Sequence, residues 1–199
     1  ILAVVWIYRA QFLSLVRRAA DPDSRGLLVN LFIAFLPAAV VGLLFHNQIK
    51  QYLFGATTVG VALIVGGILI LVIERLPLRA RIDSIENLGP MDALKIGIAQ
   101  IFSLFPGVSR AGATIMGGLL TGLTRTTATE FSFFLAMPIM FAVFFFELIK
   151  NRALLQVADM PMFAVGFVTS FVTALVVVRV FLKYVSGHNF TVFAWYRIV

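Results

Sequence analysis

Long apolar runs separated by short basic stretches set the plan of this chain. Residues 1–8 are apolar and continue into 9–18, where Phe12, Leu13 and Val16 share a helical face while Arg9, Arg17 and Arg18 lie off it. That pattern predicts a partial or interfacial helix over 1–18. Asp21-Pro22-Asp23-Ser24 predicts a turn and a helix start. The runs 27–45 and 52–76 are each long enough to cross the ~30 Å hydrocarbon core as a helix, the second with tilt. The stretch 77–90, with Arg79, Arg81, Asp83 and Glu86, reads as a loop or surface helix, and Glu74 with Arg75 as the wet end of the preceding span. Runs at 131–149 and 160–185 predict two more spans, and 190–199 begins a partial last one, with Trp195 and Tyr196 as interface anchors. His46 and His188 fall at span ends. The expected fold is an all-α polytopic membrane protein, a helical bundle forming a single transmembrane domain over 1–199.

One segment breaks the pattern. Residues 92–123 are apolar but interrupted by Pro106-Gly107, and they carry Gln100, Ser109, Arg110 and Thr114. Proline removes a backbone donor and glycine frees the backbone, so one half-helix over 92–105 and another over 109–123 are expected, entering and leaving on one side as a re-entrant pair. With that path the basic residues divide more unevenly between the two sides than with a single crossing, as positive-inside orientation favours.

Composition agrees with a lipid solvent. Hydrophobic residues make up 61% of the 199 and charged ones 13%, about half the share in soluble domains; mean hydropathy is +1.01. The net charge of +7 comes from basic residues between apolar runs. It points to anionic lipid head groups or an anionic substrate, not nucleic acid. With no cysteine, thiol catalysis and disulfides are excluded. Two histidines are too few for a histidine-rich metal site, and no acidic spacing indicates a metal. The chain begins and ends inside apolar runs, so it is expected to be part of a longer protein.

The chemistry concentrates at the helix break. Ser109 suits an N-cap, which would leave free N–H groups and the positive dipole end at mid-membrane depth, a site for an anion. Arg110 beside it costs at least ~2.5 kcal/mol to insert and is tolerated facing a wet cavity or a counter-charge. Its guanidinium matches a phosphate by paired hydrogen bonds. Gly112 permits close backbone approach. The bland alternative is that Arg110 pairs with Glu130 or Glu147 and Pro106 is only a kink. Glu130 otherwise reads as a helix-capping carboxylate, Ser109 as an ordinary cap or a nucleophile, and Gly118 with Gly122 as a helix–helix contact.

The string 99–114, centred on Pro106-Gly107-Val108-Ser109-Arg110-Ala111-Gly112, resembles the PGxSRSG motif of the undecaprenyl-diphosphate phosphatases, bacterial membrane enzymes also known for bacitracin resistance. Asp92-Ala93-Leu94 with Ile96-Gly97, then Glu130-Phe131-Ser132-Phe133, and Phe193-Ala194-Trp195-Tyr196-Arg197 extend the resemblance over essentially the whole chain. Ala111 departs from it, where serine is common.

The resemblance implies two inverted repeats, each with a re-entrant helix pair, in the bacterial cytoplasmic (inner) membrane. It implies hydrolysis of undecaprenyl diphosphate to the monophosphate, recycling the cell-wall carrier lipid. Arg110 and Ser109 would be catalytic. Gly107, Val108, Ser109, Arg110, Gly112 and Thr114 would bind phosphate, with Gln100 and Glu130 in support. A divalent cation, magnesium or calcium, is associated with the family, though this chain shows no motif for one. The partners would be the isoprenyl diphosphate lipid and membrane lipids, with a homodimer compatible with the small-residue faces. The family's N-terminal motif, a glutamate-rich stretch and a Ser-Ser-Thr-Gly-His string, is absent here. The chain is therefore expected to lack its N-terminal portion and half its active site, and to be inactive alone. On the residues alone, a transporter or flippase for an anionic lipid or solute remains the competing reading, because broken helices serve carriers too.

Overall fold

The structure is a computed structural model that describes residues 1–17, 22–152 and 159–199. Of the features read from sequence, Arg18, Asp21 and the side chains of Val16, Pro22, Asp23, Ser24 and His46 lie outside the described residues. The described residues form the α-helices α1 (Leu2–Ile7), α2 (Arg9–Arg17), α3 (Pro22–Leu44), α4 (His46–Leu53), α5 (Ala56–Arg75), α6 (Pro90–Ile101), α7 (Arg110–Leu120), α8 (Arg125–Lys150), α9 (Met160–Val185) and α10 (Thr191–Ile198). Arg25–Leu44, Ala56–Arg75, Arg125–Lys150 and Met160–Val185 are four stretches long and apolar enough to cross a membrane.

Several boundaries differ from the hydropathy pattern for local reasons. Tyr8 ends α1, so the first segment is two short helices. The run 52–76 is divided at Phe54-Gly55, where extended Gly55 starts α5 afresh. α8 begins at Arg125, ahead of the apolar run, because the Thr124 side chain caps it by accepting from the Thr127 N–H at 3.2 Å. Pro37 and Pro138 sit inside α3 and α8, which neighbouring helices tolerate at membrane depth.

α6 and α7 form a hairpin at the centre. On one side α6 lies against α3, where a Cβ on Gly97 would meet the Ala34 carbonyl oxygen at 2.6 Å. On the other, α7 meets α8 with Gly118 against Ala128. Ile96, Ala93, Phe131 and Ala34 are fully buried in the core between them. Only half of the predicted glycine contact holds. Gly122 lies beyond the helix with φ +92°, ending α7 in a Schellman turn in which the Leu123 N–H donates to the Gly118 carbonyl at 2.9 Å.

The open ends of the hairpin are stitched together. The Arg81 and Ile82 N–H groups both donate to the Gly122 carbonyl, at 2.8 and 3.0 Å, and the Thr124 N–H donates to the Ile82 carbonyl at 2.9 Å. Arg81 also pairs with Asp92 in the first turn of α6. The polar stretch after α5 thus holds the start of α6 and the end of α7 at one level. α5 and α10 pack together on the remaining side of α7, while no residue of α9's apolar window is buried, as suits a helix with a face to lipid.

Candidate active site

The tip of the hairpin carries the broken helix. A 3₁₀ turn (Phe102–Leu104) follows α6, and Gly107 then takes φ +95°, a left-handed conformation that glycine adopts without strain. No other residue fits there, since a Cβ on Gly107 would stand 2.6 Å from the Val59 carbonyl oxygen on α5. Ser109 is the N-cap of α7, its Oγ accepting from the Gly112 N–H at 3.1 Å. Arg110 is the first residue of the helix. Proline, glycine, serine and arginine in this order therefore build a helix start at the end of the hairpin remote from its stitched base.

Two cavities flank this start. One, of about 540 Å³, lies between α5, α7, α9 and α10 and is lined by Gly107, Val108, Ser109 and Gly112 together with apolar groups such as Phe181 and Phe193. The other, of about 280 Å³, lies between α5, α6 and α7 and shares Val108, Ser109 and Gly112. Arg197 lines both. Among the described residues, no histidine or carboxylate lines either one.

The structure brings Gly107, Val108, Ser109 and Gly112 together and places the other predicted residues elsewhere. Arg110 is half-buried on a neighbouring face of the same turn and lines neither cavity. Among the described residues it forms no salt bridge; the pairs there are Arg81–Asp92 and Arg125–Glu74. Thr114 faces α8, its hydroxyl 2.7 Å from Ser132 Oγ and donating to the Arg110 carbonyl at 2.9 Å. Glu130 precedes Ser132 by two residues, so it is rotated roughly 200° around α8, away from the face that meets α7. That rotation removes the pairing of Arg110 with Glu130. Gln100 is buried in α6 with its Oε1 unpartnered among the described residues.

Two residues went unrecognised in the sequence. Arg197 donates from Nη2 to the Gly107 carbonyl at 2.8 Å. Glu74, read as a wet-end acid, has a side chain only 3% exposed. It accepts from Arg125 Nη2 at 2.5 Å and from the Phe190 N–H at 3.0 Å, joining the ends of α5, α8 and α10.

A polytopic helical membrane protein with a serine-capped helix start at a break between two short helices is the class that this fold and site define. Comparison with known proteins narrows it: the chain belongs to the bacitracin resistance protein BacA family, whose sequence model matches residues 1–199. The undecaprenyl-diphosphatase of Nitrosomonas europaea is 50% identical over 198 residues, covering 100% of this chain and 72% of that protein. Those of Dechloromonas aromatica and Nitrosospira multiformis are 52% and 53% identical over 199 residues, covering all of this chain and 73% of each relative.

Proposed function

We infer that this protein hydrolyses undecaprenyl diphosphate to the monophosphate and inorganic phosphate. One observation carries the reading. Arg110, without a salt-bridge partner among the described residues, opens a helix capped by Ser109, in a chain whose relatives are undecaprenyl-diphosphatases. Hydrolysis forms a bond from a water oxygen to the terminal phosphorus and breaks the bridging P–O bond, with the lipid monophosphate leaving. The reactants are crowded with negative charge, so positioning and charge neutralisation supply most of the catalysis. Arg110 offers a planar fork to two phosphate oxygens. The N–H groups of the first turn of α7 add dipolar stabilisation. The Ser109 hydroxyl can donate to a phosphate oxygen while its own oxygen keeps the cap with Gly112. In this reading Ser109 serves as a phosphate ligand at the start of α7. The apolar cavity of about 540 Å³ accommodates the first isoprene units, leaving the remaining tail in lipid.

The same reading makes α6 and α7 a re-entrant pair, one part of an inverted-repeat architecture. Their 12 and 11 residues extend about 18 and 16 Å, too short for the ~30 Å core. Their stitched base supports entry and return on one side. Arg79, Arg81 and Arg125 gather at that base and support its placement on the cytoplasmic side of the bacterial inner membrane. A divalent cation does not fit this part of the site. Among the described residues no three His, Asp or Glu side chains cluster, and serine, arginine and backbone N–H groups are ligands for anions.

The test is phosphate release from a long-chain isoprenyl diphosphate in detergent by the full-length gene product and its Arg110→Ala variant. Release that is lost in the variant supports the reading. Binding through Arg110 with no release would replace it with a carrier.

A further inference from the structure

We propose that Arg197 is a positioning residue of this site: it holds the Gly107 carbonyl, and through it the start of α7, without touching the phosphates. The inference rests on the reading of the site given above. Its first support is the direction in which the guanidinium is used. Nη2 donates to the Gly107 carbonyl at 2.8 Å and lies 3.5 Å from the Ala62 carbonyl, so the group bridges the turn to α5. Arg197 lines both cavities, but its Nη2 is engaged with the two carbonyls and its Nε is fully enclosed, with no partner among the described residues, so neither nitrogen is turned to a phosphate. The anchored carbonyl belongs to the residue whose left-handed conformation starts the broken helix, two positions before the Ser109 cap. A shift of that peptide would move the Val108, Ser109 and Arg110 N–H groups together.

Its second support is the way the helices make room for this one side chain. A Cβ on Gly66 would stand 2.5 Å from Arg197 Nη2 and 3.1 Å from its Cζ. On Gly67 it would meet the Ala194 carbonyl at 2.8 Å. The two glycines form a notch in α5 into which α10 settles, and the guanidinium passes over Gly66 to reach the turn. At its other end α10 is fixed by the Phe190 N–H donating to buried Glu74. The helix that carries Arg197 is therefore tied at one end to the base of the molecule and at the other to the tip of the hairpin.

The experiment uses the full-length protein with four changes: Arg197→Met, Arg197→Lys, Gly66→Ala, and Gly66→Ala combined with Arg197→Met. Steady-state phosphate release from a long-chain isoprenyl diphosphate gives kcat and KM, and hydrogen exchange gives the opening of peptides across residues 103–112. Misplacement of a reacting group by about 1 Å costs up to ~100-fold in rate. Arg197→Met and Gly66→Ala should therefore each lower kcat by at least about tenfold with KM within about threefold. The double variant should be no worse than the poorer single one, and Arg197→Lys, which keeps one donor, should recover part of the loss. Exchange in 103–112 should quicken in Arg197→Met while peptides of α3 and the start of α6 stay protected. A rise in KM at unchanged kcat would make Arg197 a direct phosphate ligand and overturn the proposal. So would multiplicative losses in the double variant, or unchanged exchange in the turn. If the wild-type protein releases no phosphate, the enzymatic reading fails on that count alone, and the exchange measurement still decides whether Arg197 holds the turn.

Discussion

The buried carboxylate of Glu74 and the backbone N–H of Phe190 meet at 3.0 Å, which fixes the start of α10 to the end of α5. The same carboxylate takes the Arg125 guanidinium at the start of α8. Glu74→Ala leaves a buried N–H and a half-exposed guanidinium without their acceptor, and an unsatisfied group of this kind costs about 1–3 kcal/mol. Glu74→Gln keeps a neutral acceptor. Thermal unfolding in detergent should place Glu74→Ala lowest, Glu74→Gln between it and the wild type. Equal midpoints for all three would remove Glu74 from the framework.

Gly107→Ala tests the turn itself. A β-carbon there meets both a positive φ and the Val59 carbonyl at 2.6 Å, so the peptide must rotate or α5 must move. Phosphate release should drop by at least about tenfold. Gly112→Ala faces milder crowding, with Ser109 Cβ at 3.3 Å, and should retain more activity. The order of the two rates is the measurement.

Arg110 offers geometry as well as charge. Losing one preorganised donor to a developing anion costs about 10²–10³-fold in rate, and Arg110→Ala should fall in that range or below. Arg110→Lys keeps the charge but not the planar fork. It should lie between the two, with a steeper loss of activity as salt is raised, read from kcat/KM across an ionic-strength series.

Ser132→Ala removes the partner of the Thr114 hydroxyl between α7 and α8. The hydroxyl keeps its bond to the Arg110 carbonyl, so the cost should be modest, about 0.6 kcal/mol as for hydrogen bonds between membrane helices. The unfolding midpoint should fall slightly while KM for the lipid stays put. A several-fold rise in KM would draw this pair into substrate binding.

What was legible in the sequence was local. Pro106-Gly107 followed by Ser109 has one economical meaning inside an apolar run, and the structure starts α7 there because glycine turns left-handed and serine caps the helix, although α6 already stops at Ile101, ahead of the expected end at 105. Long apolar runs likewise have few uses other than membrane helices. The contributions of Arg197 and Glu74 were not legible. Arg197 is 90 positions from Gly107, and only the packing of α10 into the notch at Gly66 and Gly67 brings them together. Glu74 stands beside Arg75 at a helix end, where an exposed acid is the ordinary expectation, and it is buried only because α8 and α10 both start against it. The misread role of Gly122 has the same character: spacing alone does not say where α7 stops.

The seat of Gly107 on α5 works as a depth gauge. The turn rests on Val59 and Ala62. At 1.5 Å per residue that is about 20–24 Å from the Arg75 end of the helix but only about 5–9 Å from Ala56. On the reading proposed above, an inorganic phosphate set free at the turn has the shorter way out past the Ala56 end of α5. The depth at which the turn sits is thus written into the position of two residues on a neighbouring helix.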